Sequence, residues 1–258
     1  MNSSIQIAAY SHTGLYRKRN EDSLLVSDQV ISGAVMDNPR LILTDTIPVI
    51  FAVADGLGGC VAGDIASREV LRFMAGIIPT PANENELLNC ITAATENLDR
   101  IARENPALDG LGTTLAGVLV TNEDVFFFSC GDSRVYYRFP GKKDLQLMTK
   151  DHSIIQEMID AGTLHEKDAR SHPFGHVITS CLSGGKVARI PDIRISKTER
   201  VSGSRIVACT DGIWDYGGEK FLQAARIDDI SGAAREIVNC CFDAGAPDNI
   251  TLIIADIN

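Results

Sequence analysis

The stretch VIFAVADGLGG, residues 49–59, decides how this chain must fold. Six apolar residues, Val49 to Ala54, run without alternation into Asp55 and Gly56. A short continuous apolar run closed by glycines reads as a buried strand. Such a strand has no use for a carboxylate at its end unless something binds there, because an unpaired buried charge is costly. The same phrase recurs in VFFFSCGD (125–132) and RIVACTDG (205–212), so three apolar strands each deliver an aspartate beside a glycine: Asp55, Asp132 and Asp211. A fourth, Asp248 in APDNITLIIA, stands just before the last apolar run, and Glu21 and Asp22 lie together in RNEDS.

A single Asp-Gly pair is ordinarily a turn. Four aspartates that each adjoin a strand end suggest one cleft, where carboxylates at close range oppose one another's ionisation. Hard divalent cations such as Mg²⁺ and Mn²⁺ resolve that conflict, since they prefer carboxylate, carbonyl and water oxygens. The glycine after Asp55 lets a backbone carbonyl approach a cation closely. Zinc fits less well. His172 and His176 are four apart, but Pro173 and Gly175 between them argue against a helical pair, and both read as structural histidines.

Outward from this core, residues 5–10 and 23–31 read as strands, and 33–47 as an extra hairpin or loop. Apolar spacing predicts helices over 63–78 and 84–104, the second ended by Asn105-Pro106. Strands follow at 113–120, 124–130, 133–139 and 144–148, with joins too short for anything but antiparallel pairing. Short helices are expected at 153–161 and 165–171, strands at 177–182, 191–196, 205–210 and 250–256, and a helix at 229–244. The whole reads as one α+β domain, with helices grouped to cover sheet faces.

The chain has 258 residues, 45% of them hydrophobic and 22% charged, which is ordinary globular composition. The formal charge of −10, without a basic run, speaks against a nucleic-acid partner. No apolar run is long enough to span a membrane, and the N-terminal residues lack the basic region of a signal peptide. Seven cysteines without a CxxC pair are expected to be reduced thiols of a cytoplasmic protein.

Eight blocks then fall in one order: GLYRKRNEDS (14–23), FAVADGLGGCVAGDIAS (51–67), GTTLAGVLV (112–120), SCGDSRVYYR (129–138), LMTKDHSIIQEMIDAGTL (147–164), HPFGHVITSCL (172–182), VACTDGIWD (207–215) and PDNITLIIADI (247–257). With these blocks the chain resembles the PP2C-type metal-dependent protein phosphatases (the PPM family), in their bacterial single-domain form. The resemblance implies a four-layer αββα sandwich, two antiparallel sheets flanked by helix pairs, spanning residues 1–258 with a flap at about 152–176. It implies hydrolysis of phosphoserine and phosphothreonine in proteins, by water activated between two or three Mn²⁺ or Mg²⁺ ions. Asp55 matches the carboxylate that bridges the first two ions, Gly56 the carbonyl ligand, and Asp211 and Asp248 further ligands. Asp22 matches the acid that holds metal-bound water, Asp132 the acid of a third ion, with Asp151 as its helper, and Arg17 the arginine that grips the substrate phosphate. Phosphorylated proteins, an opposing serine/threonine kinase and a monomeric state are the corresponding expectations for partners.

The chain also departs from the pattern. Leu57 stands where relatives carry methionine or histidine, Cys60 where they carry histidine, and Asp64 replaces a glutamate. The leaving-group acid is left unassigned, with His12 or a metal-bound water as candidates. Two other readings fit the same residues: a catalytically weak regulatory binding module of the same fold, and a hydrolase of small phosphoesters.

Overall fold

The computed structural model describes residues 4–57, 62–77, 80–169, 172–186 and 188–258. Cys60, whose identity departs from the family pattern, lies outside the described residues.

Two six-stranded antiparallel sheets form the centre. The first contains β1 (Ile5–His12), β4 (Arg40–Thr44), β9 (Arg134–Arg138), β10 (Gln146–Leu147), β13 (Ser204–Cys209) and β14 (Ile250–Ile257), in the order β10-β9-β13-β14-β1-β4. The second contains β2 (Ser23–Val26), β3 (Gln29–Ser32), β5 (Val49–Ala54), β7 (Leu115–Val120), β8 (Asp124–Cys130) and β12 (Arg194–Glu199), in the order β12-β8-β7-β5-β2-β3. The short β6 (Gly112–Thr113) and β11 (Leu182–Ser183) pair beside them. Helices α1 (Gly63–Ala75) and α2 (Glu84–Glu104) cover the second sheet. Helices α5 (Asp211–Ala224) and α6 (Ile230–Asp243) cover the first. Two short helices, α3 (Ile154–Asp160) and α4 (Glu166–Ala169), belong to the segment between β10 and β11.

The layering follows from where the apolar side chains go. Phe51, Val53, Phe127, Tyr137, Ile206 and Ile253 fill the space between the sheets, so β5, β8 and β13 are covered on both faces. This is why those strands are continuous apolar runs rather than alternating ones. Ala52 and Ala54, on the other face of β5, pack under Val70, Ile91 and Leu98 of α1 and α2. Val207 and Cys209 likewise pack under Phe221 and Ile237 of α5 and α6.

The expected αββα sandwich is the architecture observed. Several local readings differ. The strand expected over 23–31 is the hairpin β2–β3, turned at Ser27, whose φ is 58°. Residues 33–47 hold β4, an edge strand that pairs with β1 in the opposite sheet. Most of the strand expected at 177–182 is loop, joined to α3 by an isolated bridge between Ser153 and Ile178. Helix α5 was not expected, because Gly217 and Gly218 break its pattern. The chain kinks at Gly218, with φ 54° and ψ −141°.

One polar residue inside this core is fully committed. Arg205 on β13 is completely buried and forms a fork with Asp256 on β14, Nε to Oδ1 at 2.6 Å and Nη2 to Oδ2 at 2.7 Å. The rest of its guanidinium donates to the carbonyls of Ala225, Ile227 and Asp228, just beyond α5. A buried arginine is tolerated when every donor is used, and this one ties the end of α5 to the sheet. Replacing it strands Asp256 and three carbonyls. Arg205→Met is therefore expected to lower unfolding free energy by about 3–5 kcal/mol in urea titrations. A value within about 1 kcal/mol of wild type would contradict the clamp.

Candidate active site

The two sheets end on a common rim, and the acids meet there. From the second sheet come Asp22 just before β2, Asp55 just after β5, and Asp132 two residues past β8. From the first come Asp211, which follows β13 and opens α5, and Asp248, two residues before β14. Arg17, Asp55, Gly56, Asp132, Asp211 and Asp248 line one cavity of about 620 Å³, with Glu21, Leu57, Thr114, His176, Tyr216 and Asn249. Asp22 lies behind it, 1% exposed, its Oδ2 accepting from the Thr210 hydroxyl at 2.9 Å.

Close backbone crossings build the rim. An added Cβ on Gly56 would lie 2.2 Å from the Gly63 carbonyl oxygen and 2.7 Å from that of Glu21. On Gly212 it would lie 1.8 Å from the Asn249 carbonyl oxygen. The glycines beside Asp55 and Asp211 are thus required by neighbouring chain segments. Thr114 accepts the Asp55 N–H at 3.1 Å and bonds Ser133 at 2.7 Å, which links the turns that carry Asp55 and Asp132. Asn249 accepts the Glu21 N–H at 2.8 Å and donates to the carbonyls of Thr13 and Arg19, so it holds the 13–22 loop against the start of β14. Trp214 donates to the Asp132 carbonyl at 3.0 Å while the Arg134 guanidinium stacks on its ring.

The electrostatics of this rim are adverse for the protein alone. Burial, with Asp211 and Asp248 nearby, pushes Asp22 up to about 7. Burial and four neighbouring aspartates hold Asp55 well above the usual carboxylate range. Burial and Asp211 do the same to Asp132. Burial and Asp248 raise Asp211 to about 6, even though it shares a hydrogen bond with Asp55. Arg17 answers part of this charge through Nη2, 2.7 Å from Asp248 Oδ2.

Among the described residues no three acid, histidine or cysteine side chains form a closed ligand cage. The donor set nevertheless fits a hard divalent cation. It is made of oxygens, it carries more negative charge than Arg17 can offset, and Asp22 Oδ1 is buried without a hydrogen-bond partner. Asp22, Asp55, Asp132, Asp211 and Asp248, with the Gly56 carbonyl, are the residues that could hold it.

The structure thus brings together the acids read from the sequence. Asp151 stands apart, forked to Arg134 at 2.7 and 3.0 Å and lining a second cavity under the 152–176 segment. His12 does not line the acid cavity, and its Nδ1 accepts the Gly14 N–H. His176, read as structural, is instead an exposed residue on the cavity wall. Thr114, Tyr216 and Asn249 were not singled out. Thr114 and Asn249 do fall inside the quoted blocks GTTLAGVLV and PDNITLIIADI.

Against known proteins, a profile of the protein phosphatase 2C family matches residues 36–244. The chain is 31% identical over 257 residues to the serine/threonine protein phosphatase PstP of Mycobacterium tuberculosis, which aligns 98% of this chain and 45% of that one. It therefore spans about half the length of that relative. It is 26% identical to the serine/threonine phosphatase stp of Listeria monocytogenes, over 94% of this chain and 92% of the other. Its fold matches the crystal structure of a PstP catalytic domain in complex with two manganese ions, with TM-score 0.77, 27% identity, and coverage of 98% of this chain and 99% of that one. The chain belongs to the protein phosphatase 2C family. No helix among the described residues is long and apolar enough to cross a membrane.

The raised acids make the cation-free protein sensitive to pH. A carboxyl held above its unfolded value contributes stability below about pH 4 and loses it as pH rises through the folded value, here about 7 for Asp22. Asp22→Asn removes that loss. With cations chelated, the variant's stability relative to wild type should rise between pH 4.5 and 7.5 by a few kcal/mol in urea titrations. A difference independent of pH would refute the charge conflict.

Proposed function

We propose that this member of the protein phosphatase 2C family is a metal-dependent protein serine/threonine phosphatase. In this reading residues 1–258 form one catalytic domain with a flap at 152–176. The observation that carries it is the convergence of five buried or cavity-lining aspartates with one arginine at a single rim. The manganese-bound PstP domain, similar along almost its whole length, supports the same reading.

Mn²⁺ or Mg²⁺, when bound, would supply charge neutralisation and a lowered pKa for water. The chain's own residues do the rest. Asp55, Asp211, Asp248 and Gly56 would hold the first pair of ions, Asp132 would serve a third, and Asp22 would orient water from behind. Arg17 lies on the open side, its side chain 46% exposed, with Nη2 held by Asp248 and the rest of its guanidinium available to a phosphate. Leu57, Val177 and Ile178 give the cavity its apolar walls.

The proposed substrates are phosphorylated proteins, with a serine/threonine kinase as the opposing enzyme. A cytoplasmic setting is supported by Cys90, Cys130, Cys209, Cys240 and Cys241, which are free thiols, as a reducing compartment would leave them.

The test is hydrolysis of p-nitrophenyl phosphate and of phosphothreonine peptides with and without Mn²⁺. Asp55→Ala and Asp211→Asn should each remove Mn²⁺-dependent turnover while circular dichroism stays native. Wild-type rates in either would overturn the site. Arg17→Ala should raise KM for the peptide by about tenfold or more, the effect of removing a charge-assisted hydrogen bond to the phosphate. An unchanged KM would remove Arg17 from phosphate binding.

A further inference from the structure

Cleavage of a phosphoserine or phosphothreonine ester expels an alkoxide, which needs a proton as it leaves. The cavity's own composition narrows the source. Leu57 has no proton to give, and Arg17 is bound to Asp248. Of the five histidines, four are elsewhere or committed. His12 does not line the cavity. His152 is 3% exposed and uses both ring nitrogens, Nδ1 accepting the Gly131 N–H at 3.0 Å and Nε2 facing Asp192 at 3.0 Å. His165 lines neither this cavity nor the one beneath the flap, and His172 lines only the latter.

His176 differs from all of these. It lines the acid cavity and also the adjoining space of about 340 Å³ under the flap, so it forms the partition between them. Its backbone position is fixed from both sides. The Val177 N–H donates to the Phe174 carbonyl at 3.1 Å, the Ile154 N–H donates to the Val177 carbonyl at 3.0 Å, and Ser153 bridges to Ile178. The ring is close enough to Asp211 to bear on its ionisation, yet among the described residues it makes no ion pair with it. Imidazole and acids thus face one cavity of about 620 Å³. Asp215 and Glu219 on α5, Glu166 on the flap and Arg134, which is paired with Asp151, line the same second cavity.

Resting on the phosphatase reading above, we propose that His176 is the proton donor to the departing seryl or threonyl oxygen. The water oxygen forms the new bond to phosphorus. The bond from phosphorus to the side-chain oxygen breaks, and its electron pair stays on that oxygen. The His176 proton passes to the same oxygen, which leaves as the alcohol, and the proton shed by water restores the imidazolium through solvent. Two other groups on the cavity wall could donate, Tyr216 and Glu21; burial pushes the Tyr216 phenol up, which weakens it as an acid.

Leaving-group chemistry tests this directly. p-Nitrophenolate departs without a proton, whereas a threonyl alkoxide does not. His176→Asn should lose on the order of 10²-fold in kcat on a phosphothreonine peptide, and at least about tenfold less on p-nitrophenyl phosphate. Tyr216→Phe and Glu21→Gln should show no such selectivity. In the Mg²⁺-loaded protein, inorganic phosphate should move the NMR titration of the His176 ring to higher pH, as a nearby anion would. Equal losses on both substrates, selectivity in either comparison variant but not in His176→Asn, or an unmoved ring titration would overturn the assignment. If wild type hydrolyses neither substrate with metal present, the failure lies instead with the phosphatase reading.

Discussion

The structure depends on holding carboxylates from two separate sheets at one rim. Asp55 and Asp132 arrive on strands of one sheet, Asp211 and Asp248 beside strands of the other, and Asp22 lies behind them. Nothing about folding alone favours that meeting, since burial and mutual repulsion raise the proton affinity of Asp22, Asp55, Asp132 and Asp211. The packing between the sheets forces it. Once Phe51, Phe127, Ile206 and Ile253 interdigitate, the strand ends have no other place to be. The acids are thus held together against their own repulsion, a conflict that a bound divalent cation would relieve.

The same tension explains how the rim is braced. Thr114, Asn249 and Trp214 bond backbone groups of the acid-bearing turns and leave the carboxylates of Asp55 and Asp132 facing the cavity. Arg205 acts at a distance in the same sense. It fixes the far end of α5, whose first residue is Asp211, so the helix that presents an acid is anchored at both ends. A cation-binding rim built on rigid elements can keep its donors apart by fixed distances even when they repel.

Much of this was legible in the sequence. Val49 to Ala54 and Ser204 to Cys209 are buried on both faces, and such strands advertise themselves as unbroken apolar runs. The aspartates were legible because each closes or precedes such a run. Helix α2 was legible through its apolar spacing, with a clear boundary at Asn105. Other features were hidden for physical reasons. Helix α5 carries two adjacent glycines and a kink, so its local preference contradicts its final state, which packing on the first sheet imposes. The β2–β3 turn has no glycine to mark it and places Ser27 in the left-handed region. The position of His176 depends on the bridge between Ser153, at the start of α3, and Ile178, and the pairing of Arg17 with Asp248 joins residues 231 apart. No spacing rule could reveal either arrangement.

The 152–176 segment is stitched together where it leaves the body. Ile154 bonds Val177, Ser153 bridges Ile178, and Thr179 returns to the His152 carbonyl. Between these stitches the chain runs through α3, α4 and a turn, and among its described residues only Ile155 is buried. Its tip can accordingly be rewritten in length and chemistry without disturbing the sandwich underneath. Natural variation can therefore collect at this appendage while the acid rim beneath it stays unchanged.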